Sequence, residues 1–370
     1  MNNDTKKNKE ENKYAGAASA AAGKLGIYLS SVTVLSLIAA AVTSLAVLLN
    51  YDTDPGYFQK GLLPSLAMSI TAVTFIIILS AFVLLPKELP TDKPSGSSAA
   101  YFVSTFCAFM CLFEGGFKLY EIIKPESIEA IKTAFEKDTM YDGRRLQRIA
   151  AFISVIAIVS SFGAAAAFFL RSGSREKIQS RRNTVIIAGM FPVLRAIMGF
   201  AGMYFDQETV MNGSAKVICE SAFVMLIFFL LCESRMEIGE TRALPRAYAV
   251  TGLGAMLLSF VAGVSVGFGW IAGKITGERF MTESLFLLIM SLYCFIRVKD
   301  YKSELEAVCG AASAKDGSEV SGDEENAVCD NAADDEYNPA DLSDEHGNAA
   351  GEDTAPENEE NNACNDSGDA

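Results

Sequence analysis

Eight long apolar runs constrain this chain more than any other feature of its sequence. A helix needs about 20 apolar residues to cross the roughly 30 Å hydrocarbon core of a bilayer. Lipid offers no partner to an unpaired backbone group, so apolar runs of this length are expected to cross as helices. They lack the alternating pattern of barrel strands. The predicted spans are 25–50, 62–86, 100–123, 149–170, 185–205, 217–234, 247–271 and 281–298.

The predicted fold class is therefore all-α, a polytopic transmembrane bundle of about eight helices in residues 25–300. Residues 1–24 are lysine-rich and then rich in alanine and glycine, and we expect them to form a cytoplasmic segment. The Ala-Ser-Ala run at Ala18 precedes the first apolar run, whereas a signal-peptidase site would follow it. This order favours a retained signal-anchor helix.

A weak internal repeat occurs in the second half of the chain. Glu220 opens the sequence Glu-Ser-Ala-Phe, and Glu283 opens Glu-Ser-Leu-Phe 63 residues later. Both copies begin a predicted span and run in the same direction. The pattern predicts that this half of the bundle is built from repeated helical hairpins.

The acidic residues are concentrated at the C-terminus. Residues 303–370 contain 21 Asp and Glu and one Lys, whereas the rest of the chain contains 24 acids and 30 Lys and Arg. A segment this polar cannot bury enough apolar surface to offset the entropy of ordering. We therefore predict that residues 301–370 are a disordered, acidic cytoplasmic tail, either a solubilising segment or a binding segment for a protein partner.

The distribution of Lys and Arg predicts the orientation. With the N-terminus in the cytoplasm, 18 of these residues flank the spans on the cytoplasmic side and four lie in three of the outer loops. Both termini are thus expected in the cytoplasm and the spans in the cell membrane. The exception is the fourth outer loop, 118–148, which carries seven Lys and Arg. Within it, 125–138 has the periodicity of a short amphipathic helix.

Arg195 is the most informative candidate for a functional site. It lies in the middle of a predicted span, too far from either end to reach water easily, so it should face the protein interior. Glu114 is the acid nearest to it in depth, whereas Glu220 and Glu283 are expected nearer the outer surface. Pro192 is expected to kink the helix beside Arg195. The pair is either a structural ion pair or part of a polar pathway for a charged solute.

Other motifs in the chain indicate no chemistry. Gly263 and Gly267 frame a Gly-x-Ser-x-Gly pattern around Ser265, but it lies in an apolar run, and the only histidine, His346, is in the tail. The two glycines are instead expected to allow close helix packing. The basic cluster that begins at Arg171 is expected to act in topology. We predict no catalytic residue, metal site or cofactor.

Three functions are compared from the sequence, and the third, an intramembrane enzyme, ranks last because no catalytic constellation is present. The first is a small-solute transporter or permease-like protein that uses Arg195 and Glu114. The second is a membrane scaffold or accessory subunit that binds a protein partner through its cytoplasmic face and tail. The expected partners are the lipid bilayer, a small-molecule solute and a protein on the tail. We predict no enzymatic activity and no nucleic-acid partner.

Overall fold

The structure is a computed structural model of the chain, and eight of its helices are long and apolar enough to cross a membrane. This confirms the all-α, multi-pass fold class. Most of the predicted acidic tail, 320–370, lies outside the described residues. The structure describes residues 2–53, 56–86, 97–136, 142–172, 182–205, 213–238 and 244–319.

The described residues form nine helices and one two-stranded antiparallel hairpin. In chain order they are α1 (Asn2–Asn50), β1 (Tyr51–Asp52), β2 (Tyr57–Phe58), α2 (Leu62–Leu84), α3 (Ser98–Ile123), α4 (Pro125–Glu136), α5 (Asp142–Arg171), α6 (Arg182–Tyr204), α7 (Ser214–Ile238), α8 (Leu244–Ile271) and α9 (Glu278–Glu319).

Successive spans alternate between the two ends of the bundle. The end that carries β1 and β2 is called the hairpin end, and the end at which α1 begins and α9 leaves the bundle is called the terminal end. At the terminal end, Lys24 Nζ donates to Leu84 O at 3.1 Å, and Ser97 N donates to Asp300 Oδ2 at 3.1 Å. The Ser97 hydroxyl also caps α3 by accepting from Ala100 N, which fixes where α3 begins.

Six of the spans form a closed ring. Each of α3, α5, α6, α7, α8 and α9 packs against the next, and α9 returns to α3. Outside the ring, α1 packs against α8 and α9, and α2 packs against α1 and α8. Side chains that point into the ring are therefore shielded from lipid on every side, which is where buried charges are tolerated in a membrane protein.

Two helices extend beyond their predicted limits. α1 begins at Asn2 instead of near residue 25, and the small side chains of Ala18 and Ala21 are fully buried. α9 continues to Glu319, and Tyr301 and Leu305 are buried although both lie in the segment predicted to be disordered. The predicted limits were based only on the lengths of the apolar runs. The helices continue beyond these runs because the added turns pack against neighbouring helices.

The segment 118–148 is mostly helical. Lys118 lies within α3 instead of in a loop, and the predicted amphipathic helix corresponds to α4, which begins at Pro125. The next span, α5, begins at Asp142. Proline suits the first turn of a helix because its missing N–H has no partner there in any case. Lys118 therefore no longer counts among the charges of an outer loop.

The short hairpin ties the loops of its end together. Tyr51 pairs with Phe58 and Asp52 with Tyr57. Gly56, whose φ of 68° favours glycine, accepts a hydrogen bond at its carbonyl from Ser214 N at the start of α7. These bonds hold the α1–α2 connection against the beginning of α7.

Glycines of α8 allow α9 to approach closely. A Cβ at Gly263 would lie 2.7 Å from Leu288 N and 2.8 Å from Leu288 Cα, so the two backbones are in contact there. At Gly267 the nearest atom would be Ser284 Oγ at 3.2 Å. Gly263 and Gly267 thus both face α9, as in the small-residue contacts common between membrane helices.

Gly263→Ala is expected to lower the free energy of unfolding by about 1–3 kcal/mol, because the new methyl group meets backbone that cannot move without shifting α9. The measurement is the melting temperature in detergent. Gly254→Ala in the same helix is the matched control, since its Cβ would meet the flexible end of Met225. Equal melting temperatures for the two variants would contradict the close contact at Gly263.

Candidate functional site: two ion networks inside the helix ring

Arg195 is fully buried inside the ring, where it binds two carboxylates from different helices. Its Nε donates to Glu114 Oε2 on α3 at 2.6 Å, and its Nη2 donates to Glu283 Oε2 on α9 at 2.6 Å and also contacts Glu114 Oε1. Each carboxylate is 2% exposed at its side chain. The guanidinium thus joins α3, α6 and α9 across the interior of the ring.

Lys118 completes this network from one turn along α3. Its Nζ donates to Glu114 Oε1 at 2.5 Å and to Glu283 Oε1 at 3.2 Å. Two acids and two bases therefore share one site, whose formal charge is zero. Neutrality of this kind offsets part of the desolvation cost of bringing charges out of water. We call Glu114, Lys118, Arg195 and Glu283 the central network.

Arg195 also contacts an aromatic ring and a glycine. Its guanidinium lies 4.4 Å from the centre of the Phe286 ring, a cation–π contact. A Cβ at Gly199 would lie 2.6 Å from Arg195 Nη1, so only glycine leaves room for the guanidinium. Nη1 is buried and has no hydrogen-bond partner among the described residues.

The structure brings Arg195 and Glu114 together and adds Glu283, which the sequence analysis placed nearer the outer surface. Glu283 is 1% exposed and binds Arg195, a pairing that was not predicted from the sequence. α9 begins at Glu278, so Glu283 lies more than a full turn inside the helix. Its repeat counterpart Glu220 instead lines a groove outside the ring, between α2 and α7. The depth of a residue in the membrane, which can be estimated from the sequence, does not show which face of its helix points into the ring.

A cavity leads from the hairpin end to the central network. Its volume is about 760 Å³, and it is enclosed by α3, α5, α6, α9 and the end of α8. Lys118 and Glu283 form its floor, and Arg279, Glu278 and Glu121 line its wall nearer the hairpin end. A volume of this size is typical of a small-molecule site.

A second ion network lies at the other end of the ring. Glu233 on α7 accepts hydrogen bonds from Arg297 Nε at 2.7 Å and from Tyr293 OH at 2.8 Å, both on α9. Its second oxygen accepts from Arg171 Nη1 on α5 at 3.1 Å. We call Arg171, Glu233, Tyr293 and Arg297 the terminal network. It joins α5, α7 and α9 as the central network joins α3, α6 and α9.

This network was not predicted from the sequence. Arg171 and Arg297 close predicted spans, and their charge was attributed to topology; both side chains are instead buried in the ring. Glu233 stands beside the end of its apolar run, where an acid is unremarkable. The sequence offered one indication that Glu233 is buried, namely that it lies between an apolar run and flanking arginines. This indication is weak, because exposed acids are also common at such positions.

Between the networks, aromatic and apolar side chains fill much of the interior of the ring. Phe286 stacks on Phe223 with ring centres 6.2 Å apart, and Phe168 meets Tyr293 edge to face at 5.3 Å. Met290 is fully buried between them on α9. Glu283 and Arg297 are 14 residues apart, or about 21 Å along the helix axis. The cavity thus ends at the central network, above an apolar layer.

The remaining candidates have ordinary structural surroundings. Pro192 lies within α6, one turn before Arg195, and the kink expected there stays a prediction. Ser265 is buried in α8 and donates its hydroxyl to Val261 O at 2.6 Å, so it does not stand on a strand–turn–helix elbow. Among the described residues, no group of three or more His, Cys, Asp or Glu side chains is arranged to hold a metal ion.

The fold and these networks define a multi-pass membrane protein with charged side chains buried within a ring of helices. Comparison of the chain with protein-family models, with curated proteins and with solved structures finds no match. Because a fold does not determine an activity, the residues of the site carry the functional conclusion.

Proposed function

We propose that this protein transports a small charged solute across the membrane through the interior of the helix ring. The observation that carries the proposal is the cavity of about 760 Å³, which is lined by residues of the hairpin end and has Lys118 and Glu283 of the central network as its floor. A purely structural ion pair needs no access, whereas Lys118 and Glu283 belong both to the buried network and to the cavity wall.

The cost of these charges also supports transport. On insertion scales an arginine at the bilayer centre costs about 2.5–3.5 kcal/mol, and charges kept there usually mark pathways for ions or solutes. This chain keeps one such charge, Arg195, in the middle of a span and fully buried inside the ring. A scaffold that only needed stable helix packing could use apolar contacts, which often stabilise as well as a buried ion pair does.

The positions of the networks suit a carrier that opens to one side at a time. In this structure the cavity reaches the central network from the hairpin end, while the aromatic layer and the terminal network close the ring below it. In the proposed cycle the terminal network separates to release the solute at the opposite side. Both networks are hydrogen-bonded clusters that can break and reform without loss of the helices.

Gly202→Phe tests the proposal by filling the cavity without removing a charge. Gly202 lines the cavity on α6, and the nearest atoms to a Cβ there would be those of the Arg279 guanidinium, at 3.6–3.8 Å. We expect at least one small charged solute in a broad panel to raise the melting temperature of the wild type in detergent. The same solute should enter proteoliposomes saturably, and Gly202→Phe should lose both effects.

Gly116→Phe is the matched control, since Gly116 lies on α3 and its Cβ would meet nothing within 4 Å. This variant should keep the wild-type response to the solute. If no solute in the panel shifts the wild type, or if Gly202→Phe responds as the wild type does, the proposed function is wrong.

The proposed orientation places the hairpin end outside the cell and both termini in the cytoplasm of a cell in whose plasma membrane the protein lies. It rests on the excess of Lys and Arg beside the terminal ends of the spans. We expect Lys60→Cys, at the hairpin end, to react with a membrane-impermeant maleimide in intact cells. Lys299→Cys, at the terminal end, should react only after permeabilisation.

For this labelling experiment the three cysteines beyond residue 308 are replaced by serine, which leaves five that are buried or partly buried. Labelling of Lys299→Cys in intact cells, with Lys60→Cys protected, would reverse the orientation. The scaffold alternative depends on residues 303–370, of which 320–370 lie outside the described residues.

A further inference from the structure

The cavity presents charges of both signs to whatever enters it. Its ionisable lining residues are two bases and three acids: Lys118, Arg279, Glu121, Glu278 and Glu283. The two at the floor form an ion pair, with 3.2 Å between Lys118 Nζ and Glu283 Oε1. A bound solute therefore meets a positive and a negative group at the same place.

This pairing disfavours a solute that carries a single charge. An anion bound at Lys118 would lie against the Glu283 carboxylate, and a cation bound at Glu283 would lie against the Lys118 ammonium. The floor is shielded from water, with side-chain exposures of 13% for Lys118 and 2% for Glu283, so such repulsion is weakly screened. Like charges placed against each other in this way are a common means of rejecting a wrong ligand.

The wall repeats the arrangement nearer the hairpin end. Arg279 donates from Nη1 to Gly202 O at 2.5 Å, which holds its guanidinium against α6 beside the cavity. The carboxyl groups of Glu121 and Glu278 adjoin each other on the same wall. A carboxylate on the solute has Arg279 and Lys118 as partners, and an ammonium group has the three acids.

The rest of the lining is apolar and aromatic. Phe117, Ile153, Met198, Phe205 and Trp270 face the cavity from five different elements of the ring and its loops. Such a surface suits an apolar substituent, and the volume of about 760 Å³ is large enough for one. The polar and apolar parts of the lining thus match different parts of one amphipathic solute.

We propose that the transported solute is a zwitterion that carries an ammonium and a carboxylate group close together and an apolar substituent, the chemistry of an apolar α-amino acid. This inference rests on the proposed function and narrows it to one substrate class. In the bound state the solute carboxylate exchanges with Glu283 as a partner of Lys118, and the solute ammonium takes the freed position on Glu283. The net charge of the floor stays the same.

The test compares leucine, valine, methionine and phenylalanine, each with two analogues that lack one charge. For leucine these are 4-methylpentanoate, without the ammonium group, and 3-methylbutan-1-amine, without the carboxylate. The readout is the melting temperature of the purified wild type in detergent at millimolar ligand. We expect at least one amino acid to raise it, with an apparent Kd at least ten times lower than that of either analogue.

Two variants connect the response to the cavity. Gly202→Phe should abolish the shift, and Arg279→Met should raise the apparent Kd for the amino acid about tenfold or more, because a carboxylate partner is lost. Gly116→Phe should behave as the wild type. Each variant is first measured without ligand, so that a change in its own stability is separated from a change in binding.

The outcomes separate this inference from the proposed function. If a carboxylate or amine analogue stabilises the protein as well as its parent amino acid, the zwitterion is wrong and transport of a charged solute stands. If no amino acid shifts the protein but another charged solute does, in a manner blocked by Gly202→Phe, the substrate class is likewise wrong. If nothing shifts it, both are wrong.

Discussion

Arg195→Met is expected to lower the free energy of unfolding by about 3–5 kcal/mol, since it leaves buried carboxylates without their main counter-charge. Glu114 and Glu283 would remain inside the ring with Lys118 as the one base of the central network. The measurement is the melting temperature of the purified protein in one detergent. A decrease of several degrees or more is expected for a chain of this size.

A graded series makes this prediction specific to the network. Arg195→Lys keeps the charge but cannot reach both carboxylates with a planar pair of donors, so it should fall between the wild type and Arg195→Met. Arg235→Met removes an exposed arginine from α7 and is the matched control, with little expected change. Arg195→Met as stable as Arg235→Met would show that the central network contributes nothing to stability.

Glu233→Gln is expected to have the second-largest effect. The substitution keeps the shape of the side chain but leaves two buried arginines, Arg171 and Arg297, facing an amide where a carboxylate was. Breaking a buried ion pair from one side typically costs about 3–5 kcal/mol, and the glutamine can still accept hydrogen bonds, so the lower part of that range is expected. The measurement is again the melting temperature in detergent.

Glu306→Gln is the matched control for this substitution. Glu306 pairs with Lys302 at 2.8 Å on the same helix, but its side chain is 53% exposed. Exposed pairs of this kind contribute about 0–1 kcal/mol. Both variants replace a glutamate by glutamine in the same protein. The difference between their melting temperatures therefore measures the effect of burial on the cost of losing the carboxylate. If the two decreases in melting temperature are equal, the terminal network is not buried in the working protein.

The spans could be predicted from the sequence because lipid leaves a chain few alternatives. Apolar length alone located all eight, and it placed Arg195 in the interior because a charge in that position has no other low-energy environment. Glu114 followed from similar depth on another helix. Both predictions depend only on the depth of a residue along the membrane normal. This depth follows from the position of the residue within its apolar run.

The other partners of Arg195 could not be predicted from depth alone. Their prediction also needs the order of the helices around the ring. Glu283 and Glu220 occupy corresponding places in the repeat, yet one faces the ring interior and the other faces a groove outside it. Arg171 and Arg297 lie at the ends of spans. At such positions the sequence does not show whether an arginine points into the ring or towards the membrane surface. No local pattern distinguishes them, because the difference is set by which helices are neighbours.

The helix α9 is continuous and is therefore expected to move as a rigid unit. It runs unbroken from Glu278 to Glu319 and presents Glu283 and Arg297 on one face, about four turns apart. Glu283 contacts Lys118 on α3 and Arg195 on α6, whereas Arg297 contacts Glu233 on α7. If this helix pivots near Met290, midway between Glu283 and Arg297, these two side chains move in opposite directions. A tilt about this point would widen the ring at one end and narrow it at the other, so the proposed opening and closing of the two ends would be coupled through α9.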